Sequence, residues 1–214
     1  MKFLEPREVL SMMQTCHYLY EIGLPVFLRS ISLVASYDPK LVQAYYRLLA
    51  SDSERRCAYI ERLACSVEDL VNGHELNAKS GHTNIRISQL QHHMSRLQYL
   101  DLFFPYTCYS RLAERLLPIT HLHLESLTLR CNLLDWDARN LERDILEILS
   151  RIIAPLKVIT LSINGRAPLG PLPTLLRFRE TLVELNVYGY NPSAELLPQG
   201  ESTFPMLEIG RAHV

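Results

Sequence analysis

The stretch LESLTL, residues 124–129, places leucines at positions 124, 127 and 129. On a strand, Leu127 and Leu129 point to one side, toward a common core. Leu124 sits three residues earlier, where the chain turns in from a preceding loop. The same spacing recurs at Leu97, Leu100 and Leu102 in LQYLDL, at Leu156, Ile159 and Leu161 in LKVITL, and at Leu182, Leu185 and Val187 in LVELNV. A fifth instance, Phe204, Leu207 and Ile209 in FPMLEI, fits in part. The first four starts are 27, 32 and 26 residues apart.

Helix-like stretches lie before each strand: ISQLQHHMSRL, SRLAERLL, RNLERDILEILSRII and LPTLLRFRE. The third is the clearest. Leu141, Ile145, Ile148, Leu149, Ile152 and Ile153 fall on one face, and Pro155 follows as a stop. Strand plus return helix, repeated at close to the ~20–29 residues of such units, predicts an α/β fold. The form expected is a leucine-rich-repeat-like solenoid with short parallel strands and return helices. Each buried leucine contributes about 1.5–3 kcal/mol, so the coils would hold together by mutual burial.

Composition agrees with this class. The 214 residues hold 39 leucines against 8 glycines, with 48% apolar and 21% charged residues, which is the globular range. A formal net charge of −1 gives no electrostatic grip on nucleic acid or on anionic lipid. The five cysteines, Cys16, Cys57, Cys65, Cys108 and Cys131, are odd in number and lack close pairs, which predicts buried thiols in a reducing compartment. Charges at Lys2, Glu5, Arg7 and Glu8 leave no room for the apolar segment of a signal peptide, and no apolar run approaches a membrane span. A cytoplasmic or nuclear location is expected, with neither nucleic acid nor membrane as partner.

Upstream of the repeats, Val9, Leu10, Met12, Met13, Cys16 and Leu19 recur at helical spacing, predicting one amphipathic helix from near Pro6 that Gly23 and Pro25 stop. VFLRSISLV predicts a short strand, PKLVQAYYRLLA (Pro39 to Ala50) a helix, Ser51 or Asp52 a cap, and RLACSV a second strand. The polar VNGHELNAKSGHTN, Val71 to Asn84, predicts a loop.

Chemistry has few candidates. His121 and His123, with Cys108 before and Cys131 after, match no zinc spacing and are expected to be surface or packing histidines. Adjacent His92 and His93 would point to different sides of a helix. Asp135 and Asp137 flank Trp136 and suit a helix N-terminus. Pro168 and Pro171 in GRAPLGPLP could meet a proline-recognition domain, though a stiff loop is the commoner use. No Gly-x-Ser-x-Gly, phosphate-cradling glycine loop or His-Glu-x-x-His occurs. No catalytic residue, metal or cofactor is predicted. An interaction protein is.

The stretch FLEPREVLSMMQTCHYLYEIGLPVFLRSISL resembles the second half of an F-box, of the kind found in fungal F-box proteins with leucine-rich repeats. Leu4, Pro6, Arg7, Val9, Leu10, Met12, Cys16, Leu19, Tyr20, Leu24 and Pro25 carry the likeness. YYRLLASDSERRCAYIERLAC is similar to the connector such proteins place before their repeats. The resemblance implies a substrate-recognition subunit of a Skp–cullin–F-box ubiquitin ligase, whose F-box docks on the Skp-type adaptor while the repeats bind an unknown protein substrate. It implies no catalysis by the chain itself. The family's opening Leu-Pro-x-Glu-[Leu/Ile] helix is missing before Met1, which puts docking in question. A repeat scaffold without any ligase is the alternative.

These readings divide the chain into a partial F-box and first strand (1–34), a helical connector (35–70), a loop (71–86), degenerate repeats (87–208) and a tail (209–214). Adaptor contacts are expected from Leu4, Pro6, Val9, Leu10 and Met13. Substrate contacts are expected from positions between the apolar ones: Tyr99, Asp101, Glu125, Thr128, Lys157, Thr160, Glu184 and Asn186. IGRAHV can be encoded ATC GGA AGA GCA CAC GTC, like a common sequencing-adapter read, so Ile209–Val214 are expected to be non-biological. Genomic DNA carrying those codons would overturn that expectation.

Overall fold

The computed structural model describes residues 5–34, 39–67, 74–78, 81–85, 90–104, 123–132, 138–164, 172–188 and 208–212. Helix α1 (Pro6–Met13) begins at a reciprocal cap in which the Glu5 amide donates to Glu8 Oε2 at 2.7 Å, and Pro6 fills the first helical position. Helix α2 (His17–Leu28) starts afresh at Cys16, whose sulfur accepts from the Leu19 amide at 3.5 Å. The single helix expected here is therefore two. Cys16 is extended, with φ −160° and ψ 160°, and Thr15 Oγ1 closes the end of α1 by donating to the Met12 carbonyl at 2.7 Å.

Gly23 and Pro25, expected as stops, lie inside α2. An interior proline costs about 3 kcal/mol. Beyond or beside it, α2 buries Leu24, Phe27 and Leu28, and three such side chains contribute roughly 5–9 kcal/mol. Burial wins.

Strand β1 (Ser30–Ser32), α3 (Pro39–Ser51), α4 (Ser53–Cys57) and β2 (Arg62–Ser66) follow, all near their expected places. Asp52 caps α4 by accepting from the Arg55 amide at 3.4 Å. The expected loop at 71–86 instead holds a hairpin, β3 (His74–Ala78) and β4 (Gly81–Ile85), paired antiparallel with Leu76 opposite Thr83. Its sequence lacks apolar alternation, so periodicity gave no sign of it.

The remaining strands are β5 (Tyr99–Phe104), β6 (Ser126–Asn132), β7 (Val158–Asn164), β8 (Glu184–Tyr188) and β9 (Glu208–Ala212), with helix α5 (Ala138–Arg151) between β6 and β7. The sheet has seven strands in the order β1-β2-β5-β6-β7-β8-β9, parallel at every pairing. Apart from the hairpin, each strand lies beside its neighbour in sequence. β9 uses Ile209–Ala212, residues excluded from the fold in the sequence reading, with Ile209 opposite Leu185.

One backbone device repeats along the sheet. The carbonyl of Arg29 accepts the amides of Glu61 and Arg62; that of Glu61 accepts Gln98 and Tyr99; that of Gln98 accepts Glu125 and Ser126; that of Glu125 accepts Lys157 and Val158; that of Lys157 accepts Val183 and Glu184, all at 2.8–3.1 Å. These carbonyls precede β1, β2, β5, β6 and β7, so each strand receives the next in the same register.

The first two members expose repeats that the sequence reading missed. LRSISL (Leu28, Ile31, Leu33) and IERLAC (Ile60, Leu63, Cys65) have the spacing of LESLTL, and all six side chains are buried. The repeating unit therefore begins at Leu28, inside the segment assigned to the F-box, and includes the connector.

The register builds a continuous apolar row, Ile31–Leu63–Leu100–Leu127–Ile159–Leu185, and a second row, Cys65–Leu102–Leu129–Leu161–Val187. Helix α5 carries Ile145, Ile148 and Leu149 into this core, and Ile152 just beyond it is buried too. Ile153, expected on the same face, is 58% exposed, because the helix ends at Arg151 and loses the phase. Two other expected helices are shorter: Gln91–His93 and Pro173–Phe178 are 3-10 turns. SRLAERLL and the first two positions of the fifth triplet lie outside the described residues.

Candidate functional surface

Parallel sheets are ordinarily covered on both faces. Here the strands alternate: β2 and β5 bury every second residue and leave those between at least partly exposed. The polar face presents Ser30, Arg62, Tyr99, Ser126, Val158 and Glu184 in one row, Ser32, Ala64, Asp101, Thr128, Thr160 and Asn186 in the next, and Ser66, Phe103, Arg130, Ser162 and Tyr188 in a third. Six of the eight expected substrate-contact residues, Tyr99, Asp101, Thr128, Thr160, Glu184 and Asn186, come together on this face.

The other two, Glu125 and Lys157, lie at the turns that feed β6 and β7. They form an ion pair with Lys157 Nζ 2.9 Å from Glu125 Oε1. The pair extends a turn column in which Arg29 Nε meets Glu61 Oε2 at 2.7 Å. Exposed pairs like these contribute about 0–1 kcal/mol.

On the face itself, Arg130 grips Asp101 through two nitrogens, Nη2 to Oδ2 at 2.8 Å and Nε to Oδ1 at 3.1 Å. Burial pushes the Asp101 carboxyl above its usual range, and Arg130 opposes that rise. The Arg62 guanidinium lies 4.2 Å from the centre of the Tyr99 ring, a cation–π stack between adjacent strands. A hollow of about 290 Å³ opens over β1, β2, β5 and β6, lined among others by Ser30, Ser32, Arg62, Tyr99, Asp101 and Thr128. Sequence spacing could place these residues on one side, but it could not supply the register that joins Arg62 to Tyr99 and Asp101 to Arg130.

A second surface lies on the N-terminal helices. Val9 and Met13, expected to meet an adaptor, face inward at 8% and 3% exposure, packed with α2. Pro6 is exposed and Leu10 half-buried; Leu4 lies outside the described residues. The exposed apolar side chains are instead Met12 on α1 and Tyr18, Ile22 and Val26 on α2, the last three spaced by four and so on one helix side. Tyr18 and Val26 are 72% and 63% exposed. The signal for them was present: α2 is apolar on more than one side, too much for a helix with one buried stripe. Arg55 Nη2 to Glu21 Oε2 at 2.9 Å and Arg56 Nη2 to the Tyr20 hydroxyl at 3.0 Å fasten α4 to α2.

The other shifted groups do not line the hollow. Burial pushes the Tyr45 phenol and the Cys57 thiol up to about 12, and pushes Cys131 higher still, so these thiols stay protonated at neutral pH. Among the described residues no three His, Cys, Asp or Glu side chains converge as a metal site. His92 and His93 do not diverge as expected: their ring centres are 3.8 Å apart, since a 3-10 turn replaces the helix. His121, Cys108, Asp135, Trp136, Asp137, Pro168 and Pro171 lie outside the described residues. No described helix is long and apolar enough to cross a membrane. Compared with models of protein families, with curated proteins and with solved structures, the chain matches none.

Proposed function

We propose that the chain is a substrate-recognition subunit, or part of one, of a Skp–cullin–F-box ubiquitin ligase, working in the cytoplasm or nucleus without bond chemistry of its own. The degenerate leucine-rich repeats form a solenoid of stacked coils, and a protein substrate lies on their polar strand face. The observation that carries this reading is the union of two open surfaces on one chain. The apolar stripe Tyr18–Ile22–Val26 stands on the segment that resembles an F-box, and the first strand of the sheet with the partly exposed polar face follows it directly. An exposed stripe of this kind commonly marks a protein contact.

The alternative is an interaction scaffold with no ligase, favoured by the inward packing of Val9 and Met13. Co-purification separates the two. The chain is produced as it stands and extended upstream of Met1 along its reading frame, each with a recombinant Skp-type adaptor. The ligase reading expects the extended form to co-elute with the adaptor, and Ile22→Glu with Val26→Glu to weaken that binding at least tenfold while the chain stays folded. If neither form binds, the scaffold reading replaces it.

A further inference from the structure

We infer that the hollow over β1, β2, β5 and β6 is an anion site in which Arg62 receives a carboxylate or phosphate group from an acidic segment of the partner protein. The inference rests on the polar strand face being a protein-binding surface.

Four charged side chains are described on this face. Asp101 and Arg130 neutralise each other. Arg62 and Glu184 have no ion pair among the described residues; Glu184 accepts a hydrogen bond from Asn186 Nδ2 at 2.7 Å, while the Arg62 guanidinium lies over the Tyr99 ring. The Arg62 side chain makes no hydrogen bond among the described residues, so its five N–H donors are available to a ligand. The ring contact also restrains the side chain, so less side-chain entropy is lost when an oxyanion is bound in bidentate fashion.

The surroundings suit an anion. Ser30, Ser126 and Thr128, all hydroxyl residues, line the same hollow. Ser32 lines it too, but its Oγ is shielded from solvent and has no hydrogen-bond partner among the described residues. The carboxylate that could compete, Asp101, is already held by Arg130. Glu184 is four strand spacings away, about 19 Å at the usual separation, and beyond the Debye length of about 8–10 Å.

The test uses the full chain labelled with ¹⁵N-arginine and uniformly with ¹⁵N, titrated at constant ionic strength with sodium phosphate and, separately, sodium acetate. The Arg62 Nε–H resonance is expected to shift and saturate, with the amides of Ser32 and Thr128 moving along the same curve. R62Q is expected to abolish the amide shifts, and E180Q, at an exposed residue of the turn before β8, to leave the binding constant within twofold. Saturation by both anions indicates a carboxylate or phosphate ligand; saturation by phosphate alone indicates a phosphorylated segment. An Arg62 resonance that does not move, a non-saturating drift shared with ion-paired Arg29 and Arg130, or amide shifts that survive R62Q would each overturn the inference. Because no adaptor takes part, failure here is distinct from failure to bind the ligase.

Discussion

Gly23 on α2 faces Met13 on α1 so closely that a Cβ at position 23 would stand 2.6 Å from Met13 Cγ and 3.3 Å from its Sδ. The helix pair that carries the apolar stripe thus meets at a residue chosen for having no side chain. Replacing glycine by alanine inside a helix stabilises by about 1 kcal/mol. Overpacking costs about 1–3 kcal/mol, and Cγ lies too near the Met13 backbone to swing clear. Gly23→Ala is therefore expected to destabilise the chain by about 1 kcal/mol, whereas the same change in a Met13→Ala background stabilises it by about 0.5–1 kcal/mol. Urea denaturation of the four proteins gives the cycle; the same sign in both backgrounds would remove the steric explanation.

The one-sided sheet makes an equally direct prediction at adjacent residues. Leu129 is fully buried between Leu102 and Leu161 on the flanking strands, while Thr128 lies on the polar face. Leu129→Ala is expected to cost about 2–5 kcal/mol, and Thr128→Ala less than about 0.5 kcal/mol. Equal losses in urea denaturation would mean that both faces are covered, and the binding surface would go with them.

The period of two in LQYLDL, LESLTL, LKVITL and LVELNV was enough to find β5 to β8 and to put Tyr99, Asp101, Thr128, Thr160, Glu184 and Asn186 outward. The same spacing in LRSISL and IERLAC went unseen. Leu28 ends a helix while also opening a strand repeat, and IERLAC fills its last apolar position with cysteine rather than a branched aliphatic residue. Local propensity misjudged Pro25, because the burial that overrides it comes from other elements, as where Phe27 stacks on Tyr45 of α3 with ring centres 4.8 Å apart. Arg62 was invisible as a site residue for a different reason. Its role depends on the Arg62–Tyr99 register across 37 residues of chain that contain the unforeseen hairpin.

Asp144 on α5 is the one charged side chain among the described residues that is buried, at 4% exposure. Burial raises its pKa above the ordinary aspartate value; Arg143, with Nε 3.6 Å from Oδ1, opposes the rise, and Glu147 adds to it. Below the unfolded-state value of about 3.9 both states are protonated and the residue costs nothing. As pH climbs through that value the unfolded chain releases its proton first, so folding becomes less favourable until the folded-state pKa is passed. Asp144→Asn holds the shape without the charge. It is expected to raise stability at pH 7, with the gain shrinking toward zero near pH 3. Arg143→Gln removes the opposing charge and is expected to lower stability at pH 7 but not at pH 3. Urea midpoints at the two pH values read both effects. If wild type gains on Asp144→Asn as pH rises, the carboxylate is held by its partners more firmly than it is penalised by burial, and the sign of the argument reverses.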